Sequence, residues 1–159
     1  MKLIIIRGIP GSGKTTLACK LKEELWKETY LVAHLEADMY FEVMDVLTGH
    51  WQYRFDPSRL SEAHKTCLLE TEVSLKDGDN VIISNTFTRI SEMQPYLKLA
   101  DSYQAEIEIY EMSNEPVLEK TQKSIHNIPD SVIDKMVNRW EELPSNLIPF
   151  KKLTSKNIS

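Results

Sequence analysis

The sequence predicts an α/β fold: a three-layer sandwich around a mostly parallel sheet of four to five strands. Short runs such as Leu3-Ile4-Ile5-Ile6 and Val81-Ile82-Ile83 are apolar at every position, the pattern of strands buried on both faces. Between such runs lie stretches whose apolar residues recur three and four apart, which is helical periodicity. The first run also opens into the glycine-rich turn Gly8-Ile9-Pro10-Gly11-Ser12-Gly13-Lys14-Thr15 and then a helical stretch. Strands that alternate with helices pair in parallel, because each helical crossover returns the chain to the end of the sheet from which the previous strand started.

Lys2 to Arg7 is the first buried strand. A helix then runs from the glycine turn to about Lys27, with Leu17, Leu21 and Leu25 facing the sheet. Tyr30 to Leu35 is a second, shorter strand, and Asp38 stands just beyond its carboxyl end. The spacing predicts a helix over Met39–Leu47, then a loop marked by Thr48-Gly49-His50-Trp51 and Asp56-Pro57. Pro57 opens a long helix with Leu60, Ala63, Cys67 and Leu68 on one side, and Asp77-Gly78-Asp79 closes it. His64 lies four residues from both Leu60 and Leu68 and is expected to pack beside them.

Val81 to Ile83 is the third strand, and Ser91-Glu92-Met93-Gln94 reads as a capping box before a helix to about Ser102. Ile107 and Ile109 alternate with Glu106 and Glu108 in a fourth strand with one wetter face. Asn114-Glu115-Pro116 starts a helix through Ser124. After Ile128-Pro129-Asp130 a final helix carries the stripe Val132, Ile133, Met136, Val137 and Trp140. Residues 1–143 form the domain, with a lid near 120–129, and 144–159 read as a loose C-terminal tail.

At 159 residues the chain suits one domain that buries its own core. Its 42% hydrophobic and 27% charged residues argue against disorder. Cys19 and Cys67 are isolated, which points to neither a zinc site nor a disulfide framework. The N-terminal apolar run is cut short by Arg7, so no signal peptide or membrane span is expected and the cytoplasm is the expected location. A net charge of −5 weighs against coating long nucleic acid, though gripping one strand end needs only a local basic patch.

Every fixed position of G-x-x-x-x-G-K-[ST] is filled in the glycine turn, after a strand and before a helix, which makes it a nucleotide site. The loop residues Gly8, Pro10, Gly11, Ser12 and Gly13 form the cofactor-binding curl, whose backbone N–H groups point inward at the phosphates at a positive helix end. Lys14 reaches the β- and γ-phosphates, the Thr15 hydroxyl joins the Mg²⁺ shell, and Thr16 completes the ATP-binding set. By placement Asp38 is either the base that accepts a proton from an attacking hydroxyl or a helix cap. Ser84-Asn85-Thr86 follows the third strand without a carboxylate, leaving Mg²⁺ to Thr15, nucleotide oxygens and water. Lys120 and Lys123 precede His126-Asn127 in the lid, Lys123 being the better placed to meet phosphate. Trp51, Tyr53 and Phe55 alternate with Gln52 and Arg54, an arrangement that stacks a base or plugs a core. Arg59 and Arg89 are further candidate contacts for an acceptor.

Taken in order, the phosphate loop, Asp38-x-Tyr40-Phe41, Tyr53-x-Phe55-Asp56-Pro57, Ala63-His64, Ile82-Ile83-Ser84-Asn85-Thr86 and Ile128-Pro129 resemble the polynucleotide-kinase-like P-loop family, over Met1 to about Leu143. The resemblance implies a P-loop NTPase or kinase sandwich and ATP- and Mg²⁺-dependent phosphorylation of a 5′-hydroxyl on DNA or RNA. It places the family's phosphate lysine on Lys14, its metal-binding hydroxyl on Thr15, its base on Asp38 and its lid arginine on Lys123. Lys123 keeps that charge without the planar fork of arginine. Phe41 stands near the arginine that some members use for the acceptor's phosphate. Two other readings stay open: a small-molecule kinase for a nucleoside, nucleotide or sugar, and a nucleotide-binding module with little catalysis.

Overall fold

The computed structural model describes residues 1–29, 31–113, 128–144 and 150–154. The predicted helix through Ser124, Lys120, Lys123 and most of the proposed lid lie outside them. Five parallel strands make the central sheet: β1 (Lys2–Arg7), β2 (Val32–Leu35), β5 (Asn80–Asn85), β6 (Glu106–Met112) and β7 (Phe150–Leu153), in the order β2-β5-β1-β6-β7. A separate antiparallel hairpin joins β3 (Glu42–Met44) to β4 (Trp51–Tyr53). Among the described residues the α-helices are α1 (Lys14–Trp26), α2 (Leu60–Lys76), α3 (Ile90–Ser102) and α4 (Asp130–Asn138).

The apolar centre of β1, Leu3–Ile6, is explained by its central position, with β5 and β6 on either side and helices on both faces. Ile4, Ile6 and Ile82 pack with Leu17 and Ala18 of α1. Leu3, Ile5, Val81 and Ile83 pack on the other face with Ala63, Cys67 and Leu75 of α2 and Met93, Tyr96 and Ala100 of α3. Each fully buried isoleucine of β1 contributes about 2–3 kcal/mol of transfer free energy. On α2 the buried stripe is Ala63, Cys67, Thr71 and Leu75, each four residues from the next. His64, one position and about 100° round the helix from it, is exposed and does not pack as expected.

Two segments depart from the sequence expectation. The predicted helix over Met39–Leu47 is a 3-10 turn at Ala37–Phe41 followed by the β3–β4 hairpin. Asp45 redirects the chain: its carboxylate accepts from Leu47 N–H at 2.9 Å and Thr48 N–H at 3.2 Å, and its carbonyl from Gly49 N–H at 2.7 Å. These bonds compete with helix propagation and close a turn instead. Gly49 follows at φ +69°, a left-handed conformation that glycine adopts without strain. In the second departure, Phe150–Leu153 of the expected loose tail pairs in parallel with β6 from Ile109↔Phe150 to Met112↔Leu153 and becomes the fifth strand. At α3, Glu92 reaches back to Arg89 N–H at 3.1 Å, so the capping box begins two residues before Ser91.

Arg7 ends β1 with its side chain fully buried, in register with Glu111. Its guanidinium lies 3.3 Å from the Glu111 carboxylate, donates to the Glu141 carbonyl at 2.9 Å and sits 3.9 Å from the centre of the Trp140 ring. Burial pulls its pKa below the usual arginine range, and Glu111 opposes that shift. Arg7→Met leaves the buried Glu111 carboxylate without its guanidinium partner, paired on the other oxygen with the exposed ammonium of Lys152 at 3.1 Å. It is expected to cost about 3–5 kcal/mol in chemical denaturation, whereas Arg7→Met combined with Glu111→Leu should recover most of that loss.

Candidate active site

The phosphate loop connects β1 to α1. Gly11 at φ +80° and Gly13 at φ +93° occupy left-handed backbone that lets the loop fold over itself, and Gly13 caps α1. Gly8 donates its N–H to the Thr86 carbonyl at 3.2 Å. A Cβ there would stand 2.5 Å from Ser12 Oγ and 2.8 Å from Met112 Cβ, so only glycine fits the approach of the loop to β6. Ser12 is buried, Pro10 and Gly13 half-buried, and Gly11, Thr15 and Thr16 exposed on the open side.

Lys14 donates from Nζ to the Ile9 carbonyl at 3.2 Å, holding the ammonium over the loop. Burial pushes its pKa down to about 8, while the negative charges of Glu36 and Asp38 pull it back up. Asp38 is therefore electrostatically coupled to Lys14. It is half-buried in the 3-10 turn after β2 and accepts a hydrogen bond from the Tyr53 hydroxyl of β4. Burial, the Asp38 charge and that bond raise the Tyr53 phenol to about 12.

Asn85 holds this turn in place. Its Oδ1 accepts the Ala37 N–H at 2.8 Å, and its Nδ2 points to Cys67 Sγ at 3.6 Å, away from the loop. The helix-cap alternative for Asp38 falls away because no helix begins at Met39.

Sequence reasoning missed Glu36. It follows β2, whose pairing runs through Leu35↔Ile83, and so comes level with Ser84. Glu36 Oε1 accepts from Thr15 Oγ1 at 2.9 Å and from the Ser84 hydroxyl, with His34 Nε2 3.1 Å away. Burial raises its pKa, but the bonds from His34, Ser84 and Thr15 outweigh that and hold the carboxyl below its usual value. The signal in the sequence was a carboxylate two residues before Asp38, at the end of the second strand. Its significance rests on the strand register.

Among the described residues no group of three or more His, Cys, Asp or Glu side chains could hold a metal ion alone. The Thr15 hydroxyl beside a carboxylate is an all-oxygen donor set, which suits a hard cation whose remaining ligands are nucleotide oxygens and water. Mg²⁺ therefore fits this loop.

Beside Asp38 along the chain, the hairpin encloses a pocket of about 620 Å³ whose lining includes Tyr40, Phe41, Met44, Arg54, Phe55 and Arg59. Phe41 is buried with its ring 5.0 Å from Phe55, and Phe55 stacks with Tyr53 at 6.4 Å. Arg54 reaches Asp45 at 3.8 Å, and Arg59 reaches Glu62 at 2.8 Å. Trp51 is exposed and lies outside the pocket lining. Among the described residues no helix is long and apolar enough to cross a membrane.

The chain is 28% identical over 148 residues to human NEDD4-binding protein 2, covering 90% of this chain and 8% of that protein's length. Solved structures that share its fold include a nucleotide complex, a kinase and an RNA repair complex. Chaetomium thermophilum Kti12 in complex with ADP-AlF3 has a TM-score of 0.63 and 19% identity, over 96% of this chain and 89% of that one. A gluconokinase from Sinorhizobium meliloti 1021 has a TM-score of 0.63 and 16% identity, over 99% and 85%. The Pnkp1/Rnl/Hen1 RNA repair complex has a TM-score of 0.62 and 24% identity, over 87% of this chain and 43% of that one. Residues 3–143 match the model of the AAA domain family AAA_33. The chain thus belongs to the AAA_33 AAA domain family, and its α/β fold is the one that these solved structures share.

Proposed function

We propose that this protein is an ATP-dependent phosphotransferase that phosphorylates the 5′-hydroxyl of DNA or RNA. The observation that carries the reading is Asp38, held by Tyr53 and coupled to Lys14 across the crevice beyond the strand ends. The acceptor oxygen attacks the γ-phosphorus, its proton passes to the Asp38 carboxylate, the bond to the β–γ bridging oxygen breaks, and ADP leaves. Lys14 neutralises charge on the β- and γ-phosphates, and Lys123 is proposed to do so from the lid. Mg²⁺ at Thr15 would supply further neutralisation of the phosphate oxygens.

The hairpin pocket supports a strand end as acceptor, since Phe55 offers a ring face to a base while Arg54 and Arg59 can exchange their carboxylate partners for phosphate. The likeness to a structure containing an RNA repair complex agrees with that choice. The test supplies γ-labelled ATP with 5′-hydroxyl oligonucleotides, nucleosides and sugars in parallel. Label on oligonucleotides is expected. Label confined to small molecules would replace this acceptor, and no label in any arm would leave a binding module.

Tyr53 acts through Asp38. Tyr53→Phe is expected to lower kcat about tenfold with KM for ATP unchanged, as loss of one orienting hydrogen bond does. Steady-state kinetics with ATP varied at saturating acceptor would measure this.

A further inference from the structure

We infer that Glu36 is the positioning carboxylate that makes this loop bind nucleotide together with Mg²⁺, by fixing the Thr15 hydroxyl. The inference rests on the nucleotide-binding reading above and deepens it. A threonine hydroxyl has one proton and two lone pairs. Its proton is directed at Glu36 Oε1, 2.9 Å away. That leaves the lone pairs of Thr15 Oγ1 for a cation on the exposed side of the loop. Without such an acceptor the hydroxyl would rotate and point its proton outward in a share of its rotamers.

Glu36 is itself held from the sheet side. The Ser84 hydroxyl donates to the same Oε1, and His34 Nε2 lies 3.1 Å from it and 2.9 Å from Ser84 Oγ. The strand register sets this arrangement, because Glu36 continues β2 and Ser84 belongs to β5, next to β1 and the loop. Asn85 cannot take the part, being neutral and committed to Ala37 N–H on the other face. The negative charge beside Thr15 therefore enters from the second strand in the chain, two residues before the proposed base.

The test titrates the whole chain with adenylyl imidodiphosphate in EDTA and again in excess Mg²⁺, for wild type, Glu36→Gln and Glu36→Asp. Wild type should bind more tightly with Mg²⁺. Glu36→Gln should bind as wild type does in EDTA and lose about 10- to 100-fold of the Mg²⁺-dependent gain, the usual cost of removing a group that orients a metal ligand. Glu36→Asp, which keeps the charge on a shorter stem, should recover part of it. Mn²⁺ in place of Mg²⁺ gives a separate readout, as the electron paramagnetic resonance of the bound ion should weaken in Glu36→Gln. Full retention of the Mg²⁺ gain in Glu36→Gln overturns the inference, as does equal loss of affinity with and without the metal. Wild type that binds nucleotide without any Mg²⁺ gain overturns it and leaves nucleotide binding standing. Wild type that binds no nucleotide overturns both readings.

Discussion

Asp38→Asn is expected to slow phosphoryl transfer by about 10²- to 10⁴-fold, the range attributed to a positioned general base. Asparagine has nearly the same shape and can still meet the Tyr53 hydroxyl, so the turn at Ala37–Phe41 should keep its form. What it cannot do is accept the acceptor's proton as the new P–O bond forms. Nucleotide affinity should hold or improve slightly, because the substitution removes a negative charge coupled to Lys14 near the phosphates. Single-turnover transfer measured beside equilibrium ATP binding separates the two effects. Transfer at the wild-type rate would remove Asp38 as the base, whereas matched losses in binding and transfer would make its role structural.

Lys14→Met should weaken ATP binding by about 100-fold or more, since a desolvated charge partner of the phosphates is lost. The same substitution should stabilise the ligand-free protein. Lys14 has its pKa lowered by burial from 10.5 to about 8, so the folded state holds this proton less tightly than the unfolded state does. The resulting penalty is fully present below pH 8 and shrinks as pH rises from about 8 toward 10.5. Allowing for a half-exposed side chain, the penalty is about 1–2 kcal/mol, which Lys14→Met should return as a rise of about 3–6 °C in Tm at pH 7. In wild type, bound phosphate favours the charged ammonium, so ATP affinity should fall as pH rises above about 8 and binding there should take up a proton. Calorimetry in buffers of differing ionisation enthalpy would detect that proton. A Lys14→Met protein that melts below wild type would contradict the account of burial.

Much of this architecture could be read from residues alone, for identifiable reasons. The glycine loop carries its own conformational demand, and the centres of β1 and β5, Leu3–Ile6 and Val81–Ile83, are apolar because each has a helical layer on both faces. The hairpin was hidden because Val43, Met44, Val46 and Leu47 are apolar at spacings that helix and strand share. What decides between them is the Asp45 carboxylate turning the chain. Tyr53 was legible as an aromatic but not as the partner of Asp38, since that contact spans the hairpin. β7 has four residues, two of them lysine, and only its pairing with β6 makes it a strand. Glu36 escaped notice because the carboxylate was sought after the third strand, and proximity between neighbours in a parallel sheet is set by crossovers rather than by sequence distance.

The order β2-β5-β1-β6-β7 also bears on how the molecule matures during synthesis. The central ribbon is translated before both of its flanking partners, one of which begins at Asn80 and the other at Glu106. Until both have been translated, Leu3 to Ile6 are a greasy segment with bare amides, open to capture by chaperones or by another nascent copy. Late, long-range closure of this kind is slow and prone to clumping. The nucleotide cradle, built on the end of that same ribbon, would therefore be among the last parts of the domain to assemble.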